Sequence, residues 1–147
     1  ATDGLMVPFA KSLMAMPNLI HLDLANNALE SQGIVVLRNV RITIVLEFVV
    51  LFGALKRIQT LVSIDISNYE PDKKNKLRAE GVEAFNGFVR NNVSLQYVTL
   101  SNLMLEDNNV RSILTALQEC PNLLVLDLTS NIFAGSCLSE LSIVLFR

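Results

Sequence analysis

The residues able to do chemistry are few. The chain holds one histidine, His21, and two cysteines, Cys120 and Cys137. A zinc site needs three or four closely placed ligands, and no Cys-x-x-Cys pair or second histidine exists to supply them, so no metal is expected. The six glycines are scattered, and the chain contains no G-x-x-x-x-G-K-[ST], G-x-G-x-x-G or G-x-S-x-G motif, so no phosphate cradle or nucleophile elbow can be assembled. What remains is charge suited to binding. Asp23, Asp65 and Asp127 each sit between two aliphatic residues, and Lys73, Lys74, Lys76 and Arg78 form the one basic cluster. The expectation is a protein that is not an enzyme and uses no cofactor.

Composition narrows the partner. At 147 residues, of which 51% are hydrophobic and 18% charged, the chain has the size and apolar content of one well-packed domain. A net charge of −2 lacks the basic excess that phosphate-backbone binding requires, so nucleic acid is not expected as a partner. The longest apolar stretch, 34–55, is broken by Arg38, Asn39, Arg41 and Glu47 and offers no clean bilayer span, so no membrane association is expected. The opening Ala1-Thr2-Asp3-Gly4 shows no basic n-region or cleavage site, and two cysteines are too few for a secreted disulfide scaffold. A cytoplasmic setting is expected, with the nucleus as the alternative.

The elements that must position these residues follow from a repeat. Leu occurs 25 times and Asn 14 times, a pairing of core and turn residues that prompts a search for internal periodicity. The spacing Leu-x-x-Leu-x-Leu recurs as Leu19/Leu22/Leu24, Leu61/Ile64/Ile66, Leu95/Val98/Leu100 and Leu123/Leu126/Leu128. The last two positions of each copy alternate, which predicts a short strand. A helical stripe follows, Val82/Phe85/Val89, then Val110/Ile113/Leu117, then Leu138/Leu141/Leu145. Gly33, Gly81, Asn109 and Cys137 stand one residue ahead of where each stripe begins, and one complete unit runs from Leu95 to the residue before Leu123.

A strand plus an amphipathic helix recurring at this interval resembles the leucine-rich repeat in its ribonuclease-inhibitor-like subclass. Leu19-x-x-Leu22-x-Leu24-x-x-Asn27-x-Leu29-x-x-x-Gly33-x-x-x-Leu37 carries the likeness most fully, and Leu123 to Leu141 carries it again with Asn131, Phe133 and Cys137. The resemblance implies an α/β solenoid, a right-handed βα superhelix with about four parallel strands on its concave face and about five helices on its convex face. It implies one domain over 1–147, and the phase in which the repeat begins and ends predicts a piece of a longer array or ends that self-associate. Tyr69 and Leu103 occupy the slot where the family places Asn, so backbone pairing there is expected to be compromised.

Two irregularities interrupt the period. The strand motifs begin at Leu19, Leu61, Leu95 and Leu123, and only the last interval has the regular length; the middle one carries six extra residues and the first fourteen. The six fall between Leu61 and Gly81, where 70–76 replaces the short turn with a solvated rim loop. The fourteen, Val40 to Gly53, are oily and β-branched. One reading is an elongated convex helix with Glu47, Phe48, Leu51 and Leu55 in the Gly slot and stripe, and with an apolar face open to self-association. The other is a translated intron or displaced exon boundary, because valine codons begin GT and deletion of the stretch restores the regular unit. That second reading would make the chain a partial or mis-spliced product without autonomous function.

The repeat resemblance implies protein binding as the function, and spacing predicts the surface. The outward strand residues form columns His21/Ser63/Tyr97/Val125, Asp23/Asp65/Thr99/Asp127 and Ala25/Ser67/Ser101/Thr129. His21, Asp23, Asp65, Tyr97, Thr99 and Asp127 are the candidate contacts for a protein partner bearing a basic patch. The alternative for the aspartates is that they simply bond neighbouring hydroxyls such as Ser63 and Ser67. Lys73, Lys74, Lys76 and Arg78 form a second candidate surface at the rim. The alternative function is GTPase activation of the Ran GTPase activator type, which would use that rim.

Overall fold

The computed structural model describes residues 6–27, 33–37, 40–44, 46–70, 75–137 and 139–141. Four helices, α1 (Met6–Met14), α2 (Leu46–Leu55), α3 (Ala79–Val89) and α4 (Asp107–Leu117), pack side by side in sequence order. Four three-residue strands, β1 (His21–Asp23), β4 (Ser63–Asp65), β5 (Tyr97–Thr99) and β6 (Val125–Asp127), form one parallel sheet in the order β1-β4-β5-β6. Two further strands, β2 (Gly33–Leu37) and β3 (Val40–Ile44), make a separate antiparallel pair, and a 3-10 turn spans Gly135–Cys137. The arrangement is an α/β repeat, strand then helix.

Stacking buries what no single unit could bury. Leu61, Ile64, Ile66, Leu95, Val98 and Leu100 are inaccessible, and they meet the helical stripe of Phe48, Leu51, Leu55, Val82, Phe85, Val89, Val110, Ile113 and Leu117. The stripe positions expected from the repeat period are therefore core positions. Leu13 is buried and Phe9 and Leu141 pack against the same cluster, while Leu138 and Leu145 lie outside the described residues. The expected final helix is thus covered only in part, through the 3-10 turn and residues 139–141. Its Cys137 is buried, as is Cys120 on the core side before β6.

The fourteen-residue insertion divides in two, which corrects the single elongated helix. Its second half is helical as expected, with Phe48, Leu51 and Leu55 on the core face of α2, and it adds Phe52. Its first half is β3, paired antiparallel with the segment that would otherwise have opened the helix, Val35 against Ile42 and Leu37 against Val40. Seven of the ten residues in β2 and β3 are β-branched, a composition that favours extended backbone. Glu47 to Leu55, by contrast, offers the helical slot aromatic and leucine side chains and wins it. Phe52 then becomes the hub of the α2–α3 contact, with ring centroids 5.7 Å from Phe48, 5.3 Å from Phe85 in an edge-on arrangement and 5.6 Å from Phe88. The second half of the insertion is part of the core.

The backbone pairing expected to fail at Tyr69 does not fail, because Tyr69 does not occupy the Asn slot. Asn131 donates from Nδ2 to the carbonyls of Leu128 and Leu100, 2.8 Å each, and accepts at Oδ1 from the Leu103 and Leu105 amides. Asn75 does the equivalent work one pair of units earlier, donating from Nδ2 to Ile66 O at 2.8 Å and Leu24 O at 2.9 Å. The six extra residues therefore lie at 69–74, ahead of the asparagine, and Leu77 follows in the next core slot. At Leu103 no asparagine is required: the carbonyls of Leu24, Ile66, Leu100 and Leu128 are already shared between Asn75 and Asn131.

Two stability measurements check this account by chemical denaturation. Asn75→Ala strands two carbonyls and is expected to cost about 1–3 kcal/mol, whereas Tyr69→Ala, on a side chain 60% exposed, should cost at most about 1 kcal/mol. Phe52→Ala empties the centre of the aromatic contact and should cost about 3–5 kcal/mol, in the range of Phe85→Ala rather than that of a surface change. Equal effects of Asn75→Ala and Tyr69→Ala would return Tyr69 to the asparagine slot.

Candidate partner-binding face

Parallel pairing in strict register builds the face. His21, Ser63, Tyr97 and Val125 are successive partners across β1, β4, β5 and β6, and so are Asp23, Asp65, Thr99 and Asp127. Both columns expected from the spacing are therefore assembled, with neighbours about 4.8 Å apart across the strands. His21, Asp23, Tyr97 and Val125 are exposed, and Asp65, Thr99 and Asp127 are half-buried. Residues between them, Leu22, Ile64, Val98 and Leu126, face the helices.

The middle of the third column is not available, although Thr129 at its end is exposed. Ser67 and Ser101 are buried, the Ser101 amide donates to Ser67 Oγ at 2.8 Å, and the Ser101 and Thr129 hydroxyls lie 3.0 Å apart. At this point the chain leaves the sheet for the turn, and the Ser67 and Ser101 side chains are buried there. Spacing alone treats them as a continuation of the strand, and so places them on the open face.

Each aspartate is anchored in the same way. The amide two residues on donates to its Oδ1: Ala25 to Asp23 at 2.9 Å, Ser67 to Asp65 at 2.8 Å and Thr129 to Asp127 at 2.8 Å. This Asx geometry turns the chain at the end of each strand. Backbone donation from Thr129, reinforced by the hydroxyls of Thr129 and Ser101, holds the Asp127 carboxyl below the ordinary value. Asp65 is occupied further. The Tyr69 hydroxyl donates to its Oδ2 at 2.8 Å, and burial together with that carboxylate pushes the Tyr69 phenol up. The aspartates thus have an internal role, but the donor common to all three is a backbone amide rather than the expected Ser63 and Ser67 hydroxyls, and Asp65 is held through both of its oxygens. Tyr69 is a member of this face that spacing does not reveal, since nothing in its position signals a reach back over the sheet.

The rim is less assembled. Lys73 and Lys74 lie outside the described residues. Lys76 and Arg78 line a pocket of about 500 Å³ together with Asn68, Asn102, Met104 and the acidic Glu106. Two of the four cations expected to form a basic contact surface, Lys76 and Arg78, therefore share this pocket with a carboxylate. Among the described residues no group of three or more His, Cys, Asp or Glu side chains is placed to hold a metal ion, and no helix is long and apolar enough to cross a membrane.

Comparison with known proteins agrees with this geometry at one unit. No curated protein and no solved structure matches the chain. A sequence model described as a leucine-rich repeat matches residues 15–37, a stretch that takes in β1, the turn after it and β2. Over those residues the chain is similar to a leucine-rich repeat.

Proposed function

We propose that residues 1–147 form one leucine-rich-repeat domain of the ribonuclease-inhibitor-like subclass, and that it is a non-catalytic protein-interaction module. The observation that carries the reading is the juxtaposition on β5 and β6. Tyr97 and Val125, 40% and 46% exposed, lie side by side in register, and Thr99 and Asp127 lie side by side two residues on. An amphipathic ring and an aliphatic side chain next to an ionised carboxylate suit a partner that inserts an apolar group and a flanking cation. Because Asp65 is engaged by Tyr69, the cation is assigned to Asp127, with Asp23 and His21 at the far margin of the same sheet. Two buried thiols outside any disulfide suit a reducing, cytoplasmic setting.

Site-directed photo-crosslinking in the native cell tests this. A benzophenone amino acid at position 97 is expected to trap a defined protein partner, and the same group at Glu83 on α3 is not. Adding Asp127→Lys should cut the position-97 adduct at least about tenfold, the effect of one reversed charge at a well-packed contact. Equal adducts from positions 97 and 83, or an adduct indifferent to Asp127→Lys, would remove this face from consideration.

A further inference from the structure

The hairpin β2–β3 stands apart from the array. The helices pack in a row and the parallel strands pair with one another, whereas β2 and β3 pack substantially only on each other among the described elements. A lone two-stranded hairpin is marginal in water and needs a third strand or a packing surface. Its two edges are unlike. β2, Gly-Ile-Val-Val-Leu, has neither charge nor proline, and β3, Val-Arg-Ile-Thr-Ile, carries Arg41. Proteins guard exposed strand edges with charge, proline or a cover, and the sequence of β2 supplies neither of the first two.

We propose that β2 pairs antiparallel with β2 of a second copy of this chain, about a two-fold axis at Val35, giving a closed four-stranded sheet. Charge decides between the edges. Pairing β3 with β3 about its centre would bring two Arg41 residues to neighbouring positions, and pairing β2 with β3 would leave an open edge to which further copies could add. Pairing β2 with β2 joins two uncharged five-residue edges in full register and leaves the arginine-bearing strands outermost, where a cation blocks further growth. This association uses neither the concave face nor the rim and stands independently of the function proposed above.

The hairpin is also separable from the array, which makes the inference testable. Glu47-Phe-Val-Val-Leu-Phe-Gly repeats Gly33-Ile-Val-Val-Leu-Arg-Asn fourteen residues later, with Val-Val-Leu in common. Removing 33–46 therefore brings Glu47 to the distance from β1 that Gly33 now has, and keeps α2 from Glu47 onward. Sedimentation velocity on the full chain, whose mass is 16.3 kDa, is expected to give twice that mass at a concentration on the order of 100 μM. The chain lacking 33–46 should unfold cooperatively and sediment as a monomer. Val35→Lys and Val35→Glu, which set like charges against each other at the axis, should each be monomeric and should re-form the dimer when mixed. A monomeric full chain, a dimer that persists after either Val35 substitution or after the deletion, or a failure of the mixed variants to associate would each overturn the proposal. If the deletion variant does not fold, the Val35 variants decide alone.

Discussion

A stack of strand-and-helix units must satisfy backbone carbonyls at the point where each chain leaves the sheet, and it must do so inside a tightly packed core. An orphaned buried carbonyl there would cost as much as a good fraction of the stability of a domain this size. Two side-chain amides meet the requirement. Asn75 ties the turn after β1 to the turn after β4, and Asn131 ties the turn after β5 to the turn after β6. Between these pairs the amides of Ile66 and Asn68 donate to the carbonyls of Thr99 and Ser101, and the side-chain amides of Asn68 and Asn102 each donate to the other's carbonyl. Everything on the exposed face inherits its spacing from this arrangement, because strands three residues long contribute too few bonds of their own to fix a register.

The same constraint explains how the array absorbs insertions. The residues flanking 69–74 clasp each other: Asn68 Nδ2 donates to the Asn75 carbonyl at 2.9 Å, and the Asn75 amide donates back to Asn68 Oδ1. The Asn26 side chain, on a residue in the left-handed backbone region at φ 57, receives the amides of Tyr69 and Glu70 and so roots the loop on the preceding unit. With both ends of the loop held together, the six residues cost the core nothing, since closing a loop of this length is a small entropic matter beside the burial it leaves intact. Asn102 and Ser130 take the same left-handed conformation at the equivalent point of their units, where asparagine is tolerated better than most residues.

How much of this is legible in the sequence depends on which physical signal fixes each feature. The helical stripes and the first two columns are legible because period and alternation determine them, and no tertiary choice intervenes. Asn75 is hard to place because polar residues on either side of an asparagine look alike, so the position of a gap cannot be read from loop composition. Asn75-x-Leu77, matching Asn27-x-Leu29 and Asn131-x-Phe133, is the signal that locates it. The hairpin escapes notice for another reason. Two copies of Val-Val-Leu compete for one helical slot, and the outcome rests on which copy brings aromatic rings to Phe85 and Phe88, a contact between units about which local pattern is silent. The burial of Ser67 and Ser101 likewise depends on where the strand ends, and three-residue strands end sooner than alternation suggests.

What the two insertions leave undisturbed is as informative as what they add. Across the two lengthened intervals the strands still pair Leu22 with Ile64 and Ile64 with Val98, as across the regular interval they pair Val98 with Leu126. Extra chain is expelled either into a loop whose ends are clasped or into a hairpin that pairs with itself, because any residue retained within the strand would flip the alternating side chains and set an aliphatic row into water. The exposed columns are protected by the burial of the rows between them. It follows that exposed residues of the face such as Tyr97 and Val125, unlike the aspartates that turn the chain, can change in type at little cost to the fold while their positions cannot, the combination that a recognition surface requires.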